Sequence, residues 1–182
     1  MSALIKPDTR GAVDAFTVRV LGPGDAGAFR DIRLEALEKD GRYFTASYEK
    51  ESGRSKAEWV AACTETCDQV VFGAVRADGI IGVVAASRWD GDPSGKSVRW
   101  GSAYARREWR RVGVIAVLCE AREEWSRQHG FEQAVFTIRA DNSRSIAIHL
   151  AHGAKQIREE PMRFADGSVA TAIWHAKPLA PT

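Results

Sequence analysis

The run Trp100-Gly101-Ser102-Ala103-Tyr104-Ala105-Arg106-Arg107-Glu108-Trp109-Arg110-Arg111-Val112-Gly113-Val114 places four arginines and a glycine between a β-forming stretch and a long amphipathic segment. The first turn of a helix has N–H groups without intrahelical partners and lies at the positive end of the helix dipole, so it favours an anion. Glycine at 113 lets a phosphate approach the backbone, and Arg110 and Arg111 add charge-assisted donors. The chemistry on offer is phosphate binding. Two other readings fit the same residues: a solvated basic turn, or a nucleic-acid patch with Trp109 interleaved among Arg106, Arg107, Arg110 and Arg111.

Elsewhere the reactive groups are sparse. Asn142 stands where it can cap a helix. His149 on that helix can donate a proton, since an unperturbed imidazole is about one-quarter protonated at pH 7, or it can be a half-buried ring satisfying a hydrogen bond. His152 reads as a cap or surface residue. Cys63 and Cys67 are four apart on a helix, but no histidine or acid cluster accompanies them, so no metal is expected. Cys119 reads as a core residue.

These groups must be positioned by elements visible in the pattern. Phe16 to Leu21 alternates like a strand, and Asp25 opens a helix carrying Phe29, Ile32, Ala36 and Leu37 on one face. Ser55 and Glu58 form a capping box for a helix expected to run to Thr66. Gln69–Val75 and Ile80–Ala86 flank Asp78-Gly79, a hairpin signal. A strand over 98–105 follows, then the helix Gly113–His129 with Gly130 as its stop. Gln133–Arg139 reads as a buried strand, Ser143–His152 as a helix, and two strands near 154–159 and 169–176 close the chain.

Length, charge and apolar content exclude several classes. The chain has 182 residues, one domain's worth, and 45% are apolar, enough for a core. Twenty-six basic and 24 acidic side chains leave a net charge of +2, which argues against nucleic-acid or membrane-surface binding driven by bulk charge. No apolar run is long enough to span a membrane, and no signal-peptide core is seen, so a cytoplasmic protein is expected. Three cysteines do not make a disulfide framework.

From Phe16 onward the element order resembles the GCN5-related N-acetyltransferase (GNAT) family. The basic turn is similar to that family's acetyl-CoA signature, Arg/Gln-x-x-Gly-x-Gly/Ala. Arg110 and Gly113 match the first two anchors; Ile115 stands at the third, where it thickens the loop, and Arg111 stands where many members have glycine. Asp141 to Ala154 is similar to Asn-x-x-Ala-x-x-x-Tyr-x-x-x-Gly-Phe: Asn142 and Gly153 keep their places, with Ser145, His149 and Ala154 replacing Ala, Tyr and Phe.

The resemblance implies an α/β (α+β) fold with a central mixed, mostly antiparallel twisted sheet, splayed between two strands and flanked by helices. The domain would cover 16–178, after a flexible lead-in at 1–15 and before a tail at 179–182. It implies acetyl-CoA as acyl donor. Ala103, Tyr104 and Ala105 would pair with pantetheine as if it were an added strand. Arg110, Arg111, Val112, Gly113, Val114, Ile115 and Ala116 would wrap the pyrophosphate, and Asn142 would touch the cofactor arm. Arg33, Phe44, Tyr48 and Glu49 resemble the substrate side, where aromatic rings and acids suit a cationic amine. The acceptor would be a primary amine of a small molecule or peptide, and members of the family often pair as homodimers.

The implied reaction is direct attack of the amine on the thioester. An N–H around Tyr104 would polarise the carbonyl, and His149 would act as the acid in place of the family's tyrosine. No acid lies on the two central strands. Deprotonating a lysine-like amine at pH 7 costs roughly 4–5 kcal/mol and an α-amine about 1 kcal/mol. Either the acceptor is weakly basic, then, or a base comes from Glu49, Glu51 or Asp90. A non-catalytic CoA-sensing domain is the alternative of another class.

Overall fold

Seven strands form one open sheet in the order β1-β2-β3-β4-β5-β7-β6. The computed structural model describes residues 16–179; the expected lead-in at 1–15 and positions 180–182 of the expected tail lie outside the described residues. The strands are β1 (Thr17–Val20), β2 (Gln69–Arg76), β3 (Gly79–Arg88), β4 (Ser97–Ala105), β5 (Gln133–Arg139), β6 (Lys155–Arg163) and β7 (Val169–Pro178). The helices are α1 (Ala26–Asp40), α2 (Tyr48–Ser52), α3 (Lys56–Ala62), α4 (Val114–Gln128) and α5 (Ser143–Ala151). Only β4 and β5 run parallel; every other neighbouring pair is antiparallel.

Local chemistry accounts for most boundaries. Ser55 and Glu58 make the reciprocal capping box that starts α3. The helix stops at Ala62, four residues short of the expected end, because threonine hydroxyls there serve the backbone outside a helix. Thr66 Oγ1 accepts from the N–H groups of Asp68 and Gln69, which leads the chain into β2. Ala77-Asp78 joins β2 to β3, with Arg76 opposite Gly79. Leu179, expected to open the tail, is buried, and its N–H donates to the Glu132 carbonyl at 2.8 Å.

The sheet carries a core on each face. On one face Leu118 and Trp125 of α4 cluster with Phe72, Ile81, Val84, Trp100 and Phe136. On the other, Phe29 and Ile32 of α1 and Trp59 of α3 cluster with Leu21, Val71, Val83 and Tyr104. Gly82 decides how closely α4 approaches: a Cβ there would lie 2.8 Å from Val114 Cγ1. Gly82 pairs with Ala105, so this contact seats the first turn of α4 beside the end of β4.

The sheet opens between β4 and β5. Their pairing covers Ser97, Val98 and Arg99 against Gln133, Ala134 and Val135, and goes no further. β4 stays paired with β3 as far as Ala105, and β5 with β7 as far as Arg139. Between Gly101 and Tyr104 the strand advances three residues while β3 advances two, from Ala85 to Val83. Ser102 takes up the extra residue at φ 56°. A bulge of this kind bends and twists its strand, and here the bend lies where β4 leaves β5.

Candidate active site

The alternation of β4 settles which amides face the opening. Arg106 N–H donates to the Ile81 carbonyl at 2.9 Å, so in the same register Tyr104 exchanges both its hydrogen bonds with Val83. The amide groups of Ala103 and Ala105 therefore turn toward β5, into the slot. Of the N–H groups expected around Tyr104, the one that faces the slot is thus that of Ala103, because the Tyr104 N–H is taken up by β3. The Tyr104 ring is buried under α1, and its hydroxyl donates to Glu35 Oε1 at 2.9 Å. Burial, and then the Glu35 carboxylate, push the phenol up to about 12.

The slot leads to the start of α4. Gly113 adopts φ 89° and Arg111 φ 70°, two left-handed residues that fold the turn over the helix end. No side chain caps α4, and a Cβ on Gly113 would meet nothing within 4 Å. The first turn of α4 thus starts without a side-chain cap, beside a glycine whose Cβ position is open. Val114 is buried, and the half-buried Ile115 packs against the α4-side core. Val112 is exposed, as is Ala116. Arg110 is held elsewhere: its Nε donates to the Ala105 carbonyl at 2.9 Å and its Nη2 pairs with Asp40. Arg106 pairs with Glu35 at 3.2 Å. Two of the four arginines in the basic run are thereby neutralised, which removes much of the charge a nucleic-acid patch would need. Arg111 forms no ion pair among the described residues.

An unpaired cation lies under the slot on the α4 side. Arg122 is 2% exposed, lies 4.4 Å over the Trp100 ring and donates to the Gly101 carbonyl at 3.3 Å. Its Nη2 approaches Cys119 Sγ at 3.5 Å, and among the described residues its Nε has no partner and no carboxylate pairs with it. Desolvation lowers its pKa. Trp100 stacks on Phe136, which also meets His149 at 4.4 Å and the buried His175 at 5.5 Å. Burial, followed by the positive charge of Arg122, pushes His149 down to about 4. The ring is then neutral at pH 7, and the one-quarter imidazolium expected of a free histidine is absent. Asn142 caps α5 by accepting from Ser145 N–H at 3.3 Å.

The substrate-side residues separate. Arg33 and Glu51 are both buried and joined by two hydrogen bonds, from Arg33 Nε at 2.9 Å and Nη2 at 2.8 Å. Glu51 is therefore a counter-ion, which answers one of the expected bases. Phe44 lies under the Arg33 guanidinium at 5.3 Å and packs on the α1-side core. Tyr48 and Glu49 are exposed on α2, and the Ser47 hydroxyl holds the Glu49 carboxylate below its usual range. Asp90 is exposed in the β3–β4 turn. Arg33 and Glu51 line a cavity of about 230 Å³ that reaches Ser102 at the bulge. A second hollow, of about 430 Å³, lies at the end of β4 beside Asp40, Tyr104 and Arg110. Among the described residues no group of histidines, cysteines and acids could hold a metal, and no helix is long and apolar enough to cross a membrane.

Sequence reasoning missed Arg122, because an arginine on a helix reads as a solvent-facing residue. It also missed Ser102, since a bulge has no local signature in a strand without glycine at that point. The apolar positions around Arg122, Leu118 and Trp125 among them, were the one available signal: they place residue 122 on the buried stripe.

Comparison with known proteins agrees with this geometry. The model of the acetyltransferase (GNAT) family matches residues 33–154. No relative among curated protein sequences matches. Among solved structures, the phosphinothricin acetyltransferase of Sinorhizobium meliloti, in complex with acetyl-CoA, is 22% identical with a TM-score of 0.72, over 92% of this chain and 93% of that one. A GCN5-related N-acetyltransferase from Kribbella flavida is 16% identical at TM-score 0.73, over 90% and 98%. The ribosomal-protein-S18-alanine N-acetyltransferase of Escherichia coli is 15% identical at TM-score 0.65, over 92% and 96%. At these identities the likeness is one of fold.

Proposed function

Because the chain belongs to the GNAT acetyltransferase family, we propose that it transfers an acetyl group from acetyl-CoA to a primary amine by direct attack. The observation that carries this reading is the edge of β4 that β5 leaves unpaired, followed across the turn at 106–113 by the uncapped first turn of α4. The residues present fit the donor. The amide groups of Ala103 and Ala105 offer a strand edge to an extended amide-bearing arm. The α4 N–H groups and Arg111 offer a nest for a diphosphate, and Gly113 leaves the space it needs. Arg110 contributes its backbone only, and Asn142 faces the cofactor arm from the α5 cap.

When bound, acetyl-CoA supplies the activated acyl group. The chain's own residues do the rest. The Ala103 N–H donates to the carbonyl oxygen as negative charge builds on it. Arg122, buried without a counter-ion, favours negative charge on the departing sulfur through the low-dielectric floor of the slot. A neutral His149 cannot serve as an imidazolium acid at pH 7; it positions the slot wall against Phe136. Among the candidate bases Glu51 is paired and Glu49 and Asp90 are exposed, so the acceptor arrives as its free amine or loses its ammonium proton to water; as the C–N bond forms and the C–S bond breaks, the nitrogen gives up one further proton, which reaches the departing sulfur through water.

Calorimetric titration with acetyl-CoA followed by thiol release over an amine panel tests this. One-to-one binding with amine-dependent thiol release is expected. No heat with acetyl-CoA overturns the reading. Binding without release from any amine leaves the CoA-sensing domain, which the scarcity of a free carboxylate beside the slot favours as the second reading. The structural neighbours act on acceptors as different as phosphinothricin and a ribosomal-protein alanine, so the fold does not choose between them.

A further inference from the structure

The cavity beside Ser102 carries more positive charge than its walls neutralise. Glu51 is its one carboxylate, and both oxygens are engaged by Arg33. The third guanidinium nitrogen of Arg33, Nη1, is buried with no hydrogen-bond partner. Arg54, also on the wall, lies over the Trp59 ring at 5.2 Å and forms no ion pair among the described residues. Its charge reaches Glu58, a carboxylate already held by Ser55. Two guanidiniums thus face the cavity with a single counter-ion between them.

An anionic oxygen in the cavity is favoured at the partly exposed Arg54, and the buried Arg33, whose Nη1 has no acceptor, adds its charge to that field. The same field disfavours an acceptor whose only charge is positive. This reverses the expectation that the lip suits a simple cationic amine, since Glu49 is exposed and Glu51 is already paired. The volume, about 230 Å³, admits a molecule of amino-acid size and no folded chain. Phe29 and Val71 give it an apolar side. Ser102 forms the wall nearest the slot, so an anion held by Arg33 and Arg54 leaves the other end of a short molecule at the bulge.

We infer that this cavity selects a small primary amine that also bears a carboxylate or similar anion, bound through Arg54 and Arg33 with its amine directed to the β4 bulge. The inference rests on the acetyltransferase reading for the role of acceptor, and on the cavity alone for the binding of the anion.

The test uses the full chain without acetyl-CoA. N-acetyl-L-amino acids with apolar, polar and basic side chains are titrated calorimetrically, each against its neutral amide. At least one acid is expected to bind tenfold or more tighter than its amide. Arg54→Gln should bring the two within about threefold while acetyl-CoA binding stays within twofold. Equal affinity of every acid and amide, or no heat from any of them, overturns the inference. Thiol release with the free amino acids, their amides and amino-terminal dipeptides then identifies the source of the anion: a preference for the free amino acid supports the proposal, and a preference for the dipeptide or amide overturns it. Acetyl-CoA binding without carboxylate preference sinks this inference and leaves the transferase standing. Carboxylate preference without acetyl-CoA binding does the reverse, and the cavity is then an anion site with no acceptor role.

Discussion

The guanidinium of Arg122 lies 4.4 Å over the ring of Trp100, sealed from water at 2% exposure, with no carboxylate paired to it. Burying an ion without its partner is destabilising by several kcal/mol unless something compensates. Here the ring face and one carbonyl do so in part. Arg122→Met, which keeps much of the length and none of the charge, is expected to leave the fold intact and raise stability by about 1–3 kcal/mol in chemical denaturation. The same variant should lose at least tenfold in kcat with acetyl-CoA affinity within threefold. Unchanged kcat would remove Arg122 from the reaction.

Gly113 stands at φ 89°, and a side chain there meets no neighbour. Gly113→Ala should therefore show conformational strain alone, about 1–2 kcal/mol of stability. Its methyl group would project where a diphosphate approaches. An acetyl-CoA dissociation constant at least tenfold higher by calorimetry is expected, and affinity equal to wild type would place the diphosphate elsewhere.

The Tyr104 hydroxyl donates to Glu35 on the α1 side, away from the slot. Tyr104→Phe is expected to lose about 1.5–3 kcal/mol of stability, the range for a hydrogen bond to a charged group. Its kcat/KM should stay within twofold of wild type. A hundredfold fall would give the hydroxyl a part in the reaction.

His149 has a folded pKa of about 4, below the 6.5 of an unfolded histidine. The native state then binds fewer protons than the unfolded chain between these values. The stability contributed by the neutral ring is complete above pH 6.5 and is lost as pH falls toward 4, by at most about 3 kcal/mol. His149→Gln should flatten that part of the stability profile, measured by urea denaturation at pH 7.5 and 4.5. Identical pH slopes for variant and wild type would show a solvated ring.

Much of the architecture was readable because its signals are local. The Ser55–Glu58 capping box, the Asp78-Gly79 hairpin and the apolar stripe of α4 each need only neighbours within a few residues, and each element appears where expected. Boundaries that depend on competition, such as the end of α3 at Ala62, were less legible. The turn around Gly113 was legible as a helix start with a glycine at its cap, since helix ends obey the same physics in any fold.

From sequence alone came the element order and the family, with the expectation that a diphosphate binds at the turn around Gly113. Which strand amides face the slot, which arginines are neutralised, and how far His149 and Arg122 are stripped of water were decided by the tertiary structure. Tyr104 and Glu35 are 69 positions apart, Arg110 and Asp40 70, and Arg122 and Gly101 21. Pairing register and packing bring such residues together, and both depend on the whole chain because one extra residue at Ser102 is enough to redirect a strand.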